Sequence, residues 1–374
     1  MTAQGDERMK RIGIVATQPS MKRALELKVR LLAQESKVEV LLDEIQMRQD
    51  APSEEVALRD LKIELFNAAE RLFEQGAGAI AFADDAVGSF FSELQTECRA
   101  RLVAPSDLDV DGYAKALIEA AELPAIRKGF KVGMIGGLGP AATVDLYDKI
   151  VKATPATIDQ EHIKLVVEQN PQIPDRTDAL LRGGTDSTLA LYNCAKRLER
   201  DGCDAIIIPC NTAHAFVPYM QRHLKTPFIN MQQVTLDEIK TKFGDSARIG
   251  LLASTGTVKT GIYARKAEEM GLSLFVPDDQ HQEDVMAAIY GPEGVKAGKT
   301  DGRCREDLLR AAEWLVREKG CNVLILGCTE LPLILHEGDL DCAGKTVFVI
   351  DPTSALARKV VRTVFEKDKE AGIR

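Results

Sequence analysis

The sequence predicts an α/β fold built on parallel sheets, and three observations carry that prediction. Short apolar runs that read as strands alternate with amphipathic helical patterns along the whole chain, which is the order that crossover helices impose on parallel sheets. The alternation occurs in three copies. In two of them an apolar strand ends on a cysteine at the same offset from the glycine before it, in Gly202 to Cys210 (GCDAIIIPC) and Gly320 to Cys328 (GCNVLILGC).

Each copy opens on a short strand: Ile12-Gly13-Ile14-Val15, Val132-Gly133-Met134-Ile135 and Ile249-Gly250-Leu251-Leu252. In the second copy a helix is expected near Ala141 to Val151, where Pro140 suits the first helical position because that position needs no paired N–H. A second helix runs from about Ser187 to Glu199, with Leu191, Ala195 and Leu198 on one face and Gly202 suited to end it. Gly76, Gly202 and Gly320 are equivalent, and eight residues beyond each stand Asp84, Cys210 and Cys328. A further strand end follows in each copy, at Val103 to Asp107, Phe228 to Gln232 and Phe348 to Asp351.

These elements divide the chain. The first copy closes near Glu122, and Leu123 to Lys131, with a proline and three basic residues, reads as a linker. Residues 1–125 then form an N-terminal α/β module. Residues 126–233 form one lobe, completed by 346–374, and residues 234–345 form a second, pseudo-symmetric parallel-sheet lobe. A cleft between the lobes would set Cys210 and Cys328 face to face, beyond the carboxyl ends of their strands, where open α/β sheets bind ligands.

Composition bounds the function. The chain has 374 residues, too many for one ordinary core. With 57 acidic against 48 basic side chains and a net charge of -9, it has no electrostatic reason to bind nucleic acid or an anionic membrane. The apolar run after the first basic pair is too short for a signal segment or a membrane span, so a cytoplasmic location is expected. The 8 cysteines lack CxxC spacing and read as reduced thiols rather than a disulfide framework. Zinc is not expected either, because Cys210 and His214 have no second ligand pair at a usual spacing.

Paired thiols at strand ends suit acid/base chemistry on two faces of one carbon. Moving the α-proton of an amino acid to the opposite face needs a base on one side and an acid on the other, and a thiol with an ordinary pKa of about 8.5 can be either. Cys203 and Cys321, at the starts of the same strands, read instead as small buried residues. The loop Gly136-Gly137-Leu138-Gly139-Pro140 reads either as an anion site at a helix N-terminus or as a tight turn. Arg176, in the proline-bounded loop Asn170 to Thr177, reads as a carboxylate clamp or as a solvated arginine, and Lys296 has the same two readings. Glu330 and His214 tune the neighbouring thiols or hold substrate, or else cap the helices that follow.

The motifs MIGGLGPAAT (Met134 to Thr143), NPQIPDRT (Asn170 to Thr177), PCNTAH (Pro209 to His214), GVKAG (Gly294 to Gly298) and GCTEL (Gly327 to Leu331) resemble those of the aspartate/glutamate racemase family, in the family's order. The resemblance implies an amino acid racemase of two α/β lobes that uses no cofactor, acts on an acidic amino acid such as aspartate or glutamate and commonly forms a homodimer. It implies Cys210 and Cys328 as the opposed acid/base pair. Arg176 and Lys296 would bind or neutralise substrate carboxylates, while Asn211, Thr212 and Thr329 would hold the α-carboxylate. Gly137, Thr143 and Glu330 complete the implied substrate-binding set.

Other members of the wider superfamily, such as hydantoin racemases, maleate isomerases and arylmalonate decarboxylases, are the nearest alternatives, and a non-catalytic amino-acid sensor is the alternative from another class. Residues 1–125 depart from the family. Their counterpart of the cysteine is Asp84, which predicts a catalytically silent module that packs, dimerises or senses a ligand.

Overall fold

The computed structural model describes residues 9–35, 37–46, 52–104, 109–123 and 129–373. The expected linker between Leu123 and Lys131 and the boundary at 125/126 lie largely outside these, as do residues 105–107 of the strand end expected in the first copy. The chain divides into two compact units, Met1–Lys128 and Gly129–Arg374.

Among its described residues the first unit has four strands, β1 (Lys10–Thr17), β2 (Val38–Ile45), β3 (Ala79–Phe82) and β4 (Arg101–Val103), in one parallel sheet of order β2-β1-β3-β4. Helices cover both faces. Leu65, Leu72 and Leu94 pack with Ile80 and Phe82 on one side, and Leu27, Leu31 and Leu117 pack with Ile12 and Ile14 on the other.

The second unit holds two sheets. One comprises β5 (Val132–Gly136), β6 (Leu165–Gln169) and β7 (Ala205–Ile207), in order β6-β5-β7, with Phe228 bridged in parallel to Ile206 on the far side of β7. The other comprises β8 (Arg248–Leu252), β9 (Ser273–Phe275), β10 (Val323–Leu326), β11 (Gly338–Cys342) and β12 (Lys345–Ile350), in order β9-β8-β10-β12-β11. All three sheets therefore share one order, with the opening strand between the second and third and the fourth position beyond the third.

One packing contact recurs with that order. Gly13, Gly133 and Gly250 sit at the same place in the three opening strands, and a Cβ there would fall 2.9 Å from Leu72, 3.0 Å from Leu198 and 3.0 Å from Leu315. Those leucines belong to the helices Glu54–Glu74, Thr188–Arg200 and Arg303–Lys319, each of which leads into the next strand of its copy. A bare backbone at that point lets each helix seat against its sheet. The helices end as expected, with Gly76, Gly202 and Gly320 all at positive φ. The helix expected near Ala141 to Val151 spans Pro140–Ala153, with Pro140 at its first position.

Two details depart from the expected lobes. Strand β12 pairs with β10 in parallel and with β11 in an antiparallel hairpin. Residues 345–350 thus belong to the second lobe's sheet, and the expected return to the first lobe at 346 comes later, with the helix Pro352–Glu370. Strand membership decides this, because the fourth position of a sheet is filled from within its own copy. The returning helix buries Leu356, Val360 and Val364 against Val132, Met134 and Leu146. Among the described residues no helix is long and apolar enough to cross a membrane.

Candidate active site

Strands β7 and β10 carry the two cysteines. Three residues past Ile207 the chain reaches Cys210 and then a short turn, Thr212–Ala215, while Cys328 follows Gly327 directly after β10. Both strands lie next to the opening strand of their sheet, so both cysteines emerge at the carboxyl edge, in one small cleft within the second unit. Cys210, Asn211, Thr212, Cys328, Thr329, Glu330, Arg176 and Lys296 all line it, with Leu138, Asp175, Thr177, Ser254, Tyr290 and Gly327.

Gly137 and Thr143 do not line it. The Gly137 N–H donates to Thr143 Oγ1 at 2.9 Å, and that hydroxyl donates to the Gly139 carbonyl at 3.2 Å. The pair spends these polar groups shaping the loop beside the cleft. The loop then meets the opposite lobe, since a Cβ on Gly139, whose φ is +130°, would fall 2.2 Å from Glu330 Oε1.

Arg176 opens the helix Arg176–Leu181, whose N-cap is Asp175. Its guanidinium donates to the carbonyls of Ile173 at 3.2 Å, Pro174 at 3.0 Å and Leu138 at 3.1 Å. It is thus fixed rather than solvated. Burial opposes its charge, but Cys210 and Asp175 outweigh burial and raise its hold on the proton. A thiolate at Cys210 therefore faces a cation set in place before any ligand arrives.

Cys328 has a different neighbourhood. Its thiol donates to Glu330 Oε2 at 3.0 Å, and Lys296 Nζ reaches Glu330 Oε1 at 2.6 Å. Loss of water around the thiol, followed by the Glu330 charge, pushes the Cys328 pKa well above the ordinary thiol range, with Lys296 opposing. Burial works against the Lys296 ammonium too, yet Glu330 and Cys328 raise its pKa. The two thiols are thus matched in position and unlike in charge environment. Thr329 ties the halves together, donating its hydroxyl to the Pro209 carbonyl at 3.1 Å.

His214 neither lines the cleft nor caps with its side chain. Its Nε2 accepts from the Met231 N–H at 3.3 Å, so Nδ1 carries the proton and donates to the Cys210 carbonyl at 2.9 Å. Burial pushes its pKa down to about 4. Between the ordinary value of 6.5 and about 4, the unfolded chain takes up a proton that the native chain refuses, so stability falls as pH falls. The loss sums to roughly 3 kcal/mol. Urea unfolding at pH 7 and pH 4.5 should show His214→Gln losing most of that pH dependence, and an unchanged dependence would remove His214 as its source.

The profile of the Asp/Glu/hydantoin racemase family matches residues 135–360. This chain belongs to that family. The matched span runs from β5 into the last helix, leaving the N-terminal unit outside it. The broad specificity amino-acid racemase RacX of Bacillus subtilis (strain 168) is 23% identical over 240 residues, which cover 62% of this chain and 97% of that one. Among solved structures, the Picrophilus torridus aspartate racemase is 30% identical with a TM-score of 0.53, covering 66% of this chain and 100% of that one. An aspartate racemase homologue from Pyrococcus horikoshii OT3 is 26% identical with a TM-score of 0.51, covering 63% of this chain and 99% of that one. The chain is an isomerase of the amino-acid racemase class.

Sequence reasoning missed two cleft residues of this racemase. Ser254 follows β8 where the glycine loop follows β5, and it caps the helix Thr255–Thr260. The Thr212 hydroxyl lies 2.8 Å from that of Thr257 and 3.3 Å from that of Ser254, an all-hydroxyl cluster in the cleft wall. Its signal was available, since the threefold repeat aligns Ser254 with the loop at Gly137. Tyr290 had none; it ends the helix Asp279–Tyr290, and its ring centre stands 5.5 Å from Lys296 Nζ. Burial raises its phenol to about 12, so it faces the cleft as a hydroxyl.

Proposed function

We propose that this racemase interconverts the enantiomers of an acidic amino acid, aspartate or glutamate, by proton transfer between Cys210 and Cys328 without a cofactor. The observation that carries this reading is that two thiols from matching strand ends share one cleft with two fixed cations, Arg176 and Lys296. The substrate's α-carboxylate is taken by Asn211, Thr212 and Thr329 and its side-chain carboxylate by the cations. In one direction Cys210 as thiolate removes the α-proton, and the Cys328 thiol gives its own proton to the opposite face. Product leaves with Cys210 protonated and Cys328 as thiolate, and exchange with water restores the starting state. The carbanion between the two steps gains most from charges that need no rearrangement, and Arg176 is already held by three carbonyls.

The N-terminal module is read as catalytically silent. Its Asp84, equivalent to the cysteines, accepts from the Thr17 hydroxyl at the end of β1 at 2.8 Å and from the Ala86 N–H at 2.9 Å, so its carboxylate is engaged within its own module.

Incubating each candidate enantiomer with the protein in heavy water and separating the products on a chiral column tests the reading. Deuterium-labelled antipode of aspartate or glutamate is expected, and its absence across the acidic amino acids would end the proposal. The environment of Cys328 adds a second check. Glu330→Gln removes a charge that holds the thiol pKa up, so that pKa falls. In pH profiles of kcat/KM, the rising limb of the direction that uses Cys328 as base should move to lower pH. The falling limb of the opposite direction should move the same way. Limbs that stay in place would separate Glu330 from the titration.

A further inference from the structure

Asn211 meets the cleft with one side of its amide already committed. Tyr263 donates its hydroxyl to Asn211 Oδ1 at 2.7 Å, and the Gln232 side-chain N–H donates to the Asn211 carbonyl at 3.0 Å. Asn211 is 2% exposed, and its Nδ2 is buried without a partner among the described residues. Arg176 Nε, a second donor on the same cleft, is likewise buried and unpaired. Buried N–H groups are seldom left unpaired in a folded protein, and two unpaired donors on one small cleft point to an anionic ligand that satisfies them.

Tyr263 controls which end of the amide is free. It lies in the helix Ile262–Glu269 of the second lobe, is fully buried, and packs with Ile249, Leu251 and Ala253. Burial also raises its phenol above the ordinary value, which keeps the hydroxyl proton in place. An amide turned over would aim Oδ1 at the ligand and repel a carboxylate. We infer that Tyr263 is a positioning residue, reaching across from the second lobe to lock the Asn211 amide with its N–H₂ presented to a ligand carboxylate. No sequence motif contains it. The inference rests on the reading that the cleft binds a carboxylate, and it goes beyond that reading in naming what sets the donor's direction.

Succinate, a dicarboxylate without an α-proton to exchange between enantiomers, separates this inference from the reaction. Titration calorimetry on the full chain would compare the wild type, Tyr263→Phe, Asn211→Ala and the double variant, with circular dichroism to check folding. Losing one hydrogen bond to a charged ligand corresponds to about tenfold, so each single variant should bind succinate about tenfold more weakly. The double variant should be no weaker than Asn211→Ala, because Tyr263 acts only through that amide. Where racemisation is measurable, Tyr263→Phe should raise KM about tenfold with kcat nearly unchanged.

Unchanged binding in Tyr263→Phe, or losses that multiply in the double variant, would overturn the inference, the second outcome marking a merely structural tyrosine. A wild type that binds no succinate would overturn it too. Should Tyr263→Phe not fold, Asn211→Asp keeps the Tyr263 bond and replaces N–H₂ by an oxygen; it should lose at least tenfold in binding, and full binding would overturn the inference. Coupled succinate binding in a protein that racemises nothing would sustain the role of Tyr263 while ending the proposed reaction.

Discussion

Cys328→Ser should lower racemisation by a factor of about a thousand or more, and Cys210→Ser should do the same, because a serine hydroxyl neither ionises nor gives up its proton near neutrality as a thiol does. The two variants should differ in what they retain. With Cys328 gone, Cys210 still faces one side of the α-carbon beside Arg176, so one enantiomer goes on exchanging its α-proton with solvent without inverting. With Cys210 gone, the enantiomer that exchanges should be the other one. Proton NMR of each enantiomer in deuterated buffer, run beside chiral separation, reads both properties. Full activity in either variant would sink the two-base mechanism, and exchange of the same enantiomer by both would sink the assignment of one thiol to each face.

Arg176→Lys should cost about a hundredfold in kcat/KM, the loss typical of removing one fixed charge-stabilising donor from an active site. Charge alone does not make this residue. The guanidinium fork spans the carbonyls of Ile173, Pro174 and Leu138 and still presents its charge to Cys210. A lysine ammonium is a point donor and cannot hold three carbonyls while facing a fourth group. The loop Asn170 to Thr177 would lose its anchor to Leu138, so the fall should appear in kcat as well as in KM. Steady-state kinetics in both directions checks this, and a lysine variant with native kcat would reduce Arg176 to a source of charge.

Why was the cleft legible in the sequence while parts of its lining were not? Cys210 and Cys328 stood out because a repeat fixes the distance from the helix-ending glycine to the edge of the sheet, and a strand of given length leaves its last residue at that edge. Arg176, Lys296 and Glu330 were legible only through their motifs, since their positions come from loops. Tyr290 and Tyr263 act from helices far along the chain, and no local spacing connects a tyrosine in a helix to an asparagine some 50 residues earlier. His214 was visible as a residue but its readings stayed open, because nothing local says that the Met231 N–H and the Cys210 carbonyl take up both ring nitrogens. The late return of the chain was missed for a related reason. Repeats count elements, whereas sheets are defined by pairing, and β12 pairs within its own copy.

The last helix gives the molecule an order of assembly. Pro352–Glu370 supplies Leu356, Val360 and Val364 to the core around Val132 and Met134, and Asp368 accepts the Phe130 N–H at 2.7 Å. The first strand of the second unit is therefore roofed by a helix made only after every strand of the second sheet. During synthesis that strand stays without its cover until translation of the unit is nearly over, while the sheet of β8 to β12 already has all its strands. A ribosome stalled after Ile350 would hold both thiols on finished strands and no sealed lobe to bring them together. Synthesis of Pro352–Glu370, rather than of either cysteine, is then the event that closes the first lobe.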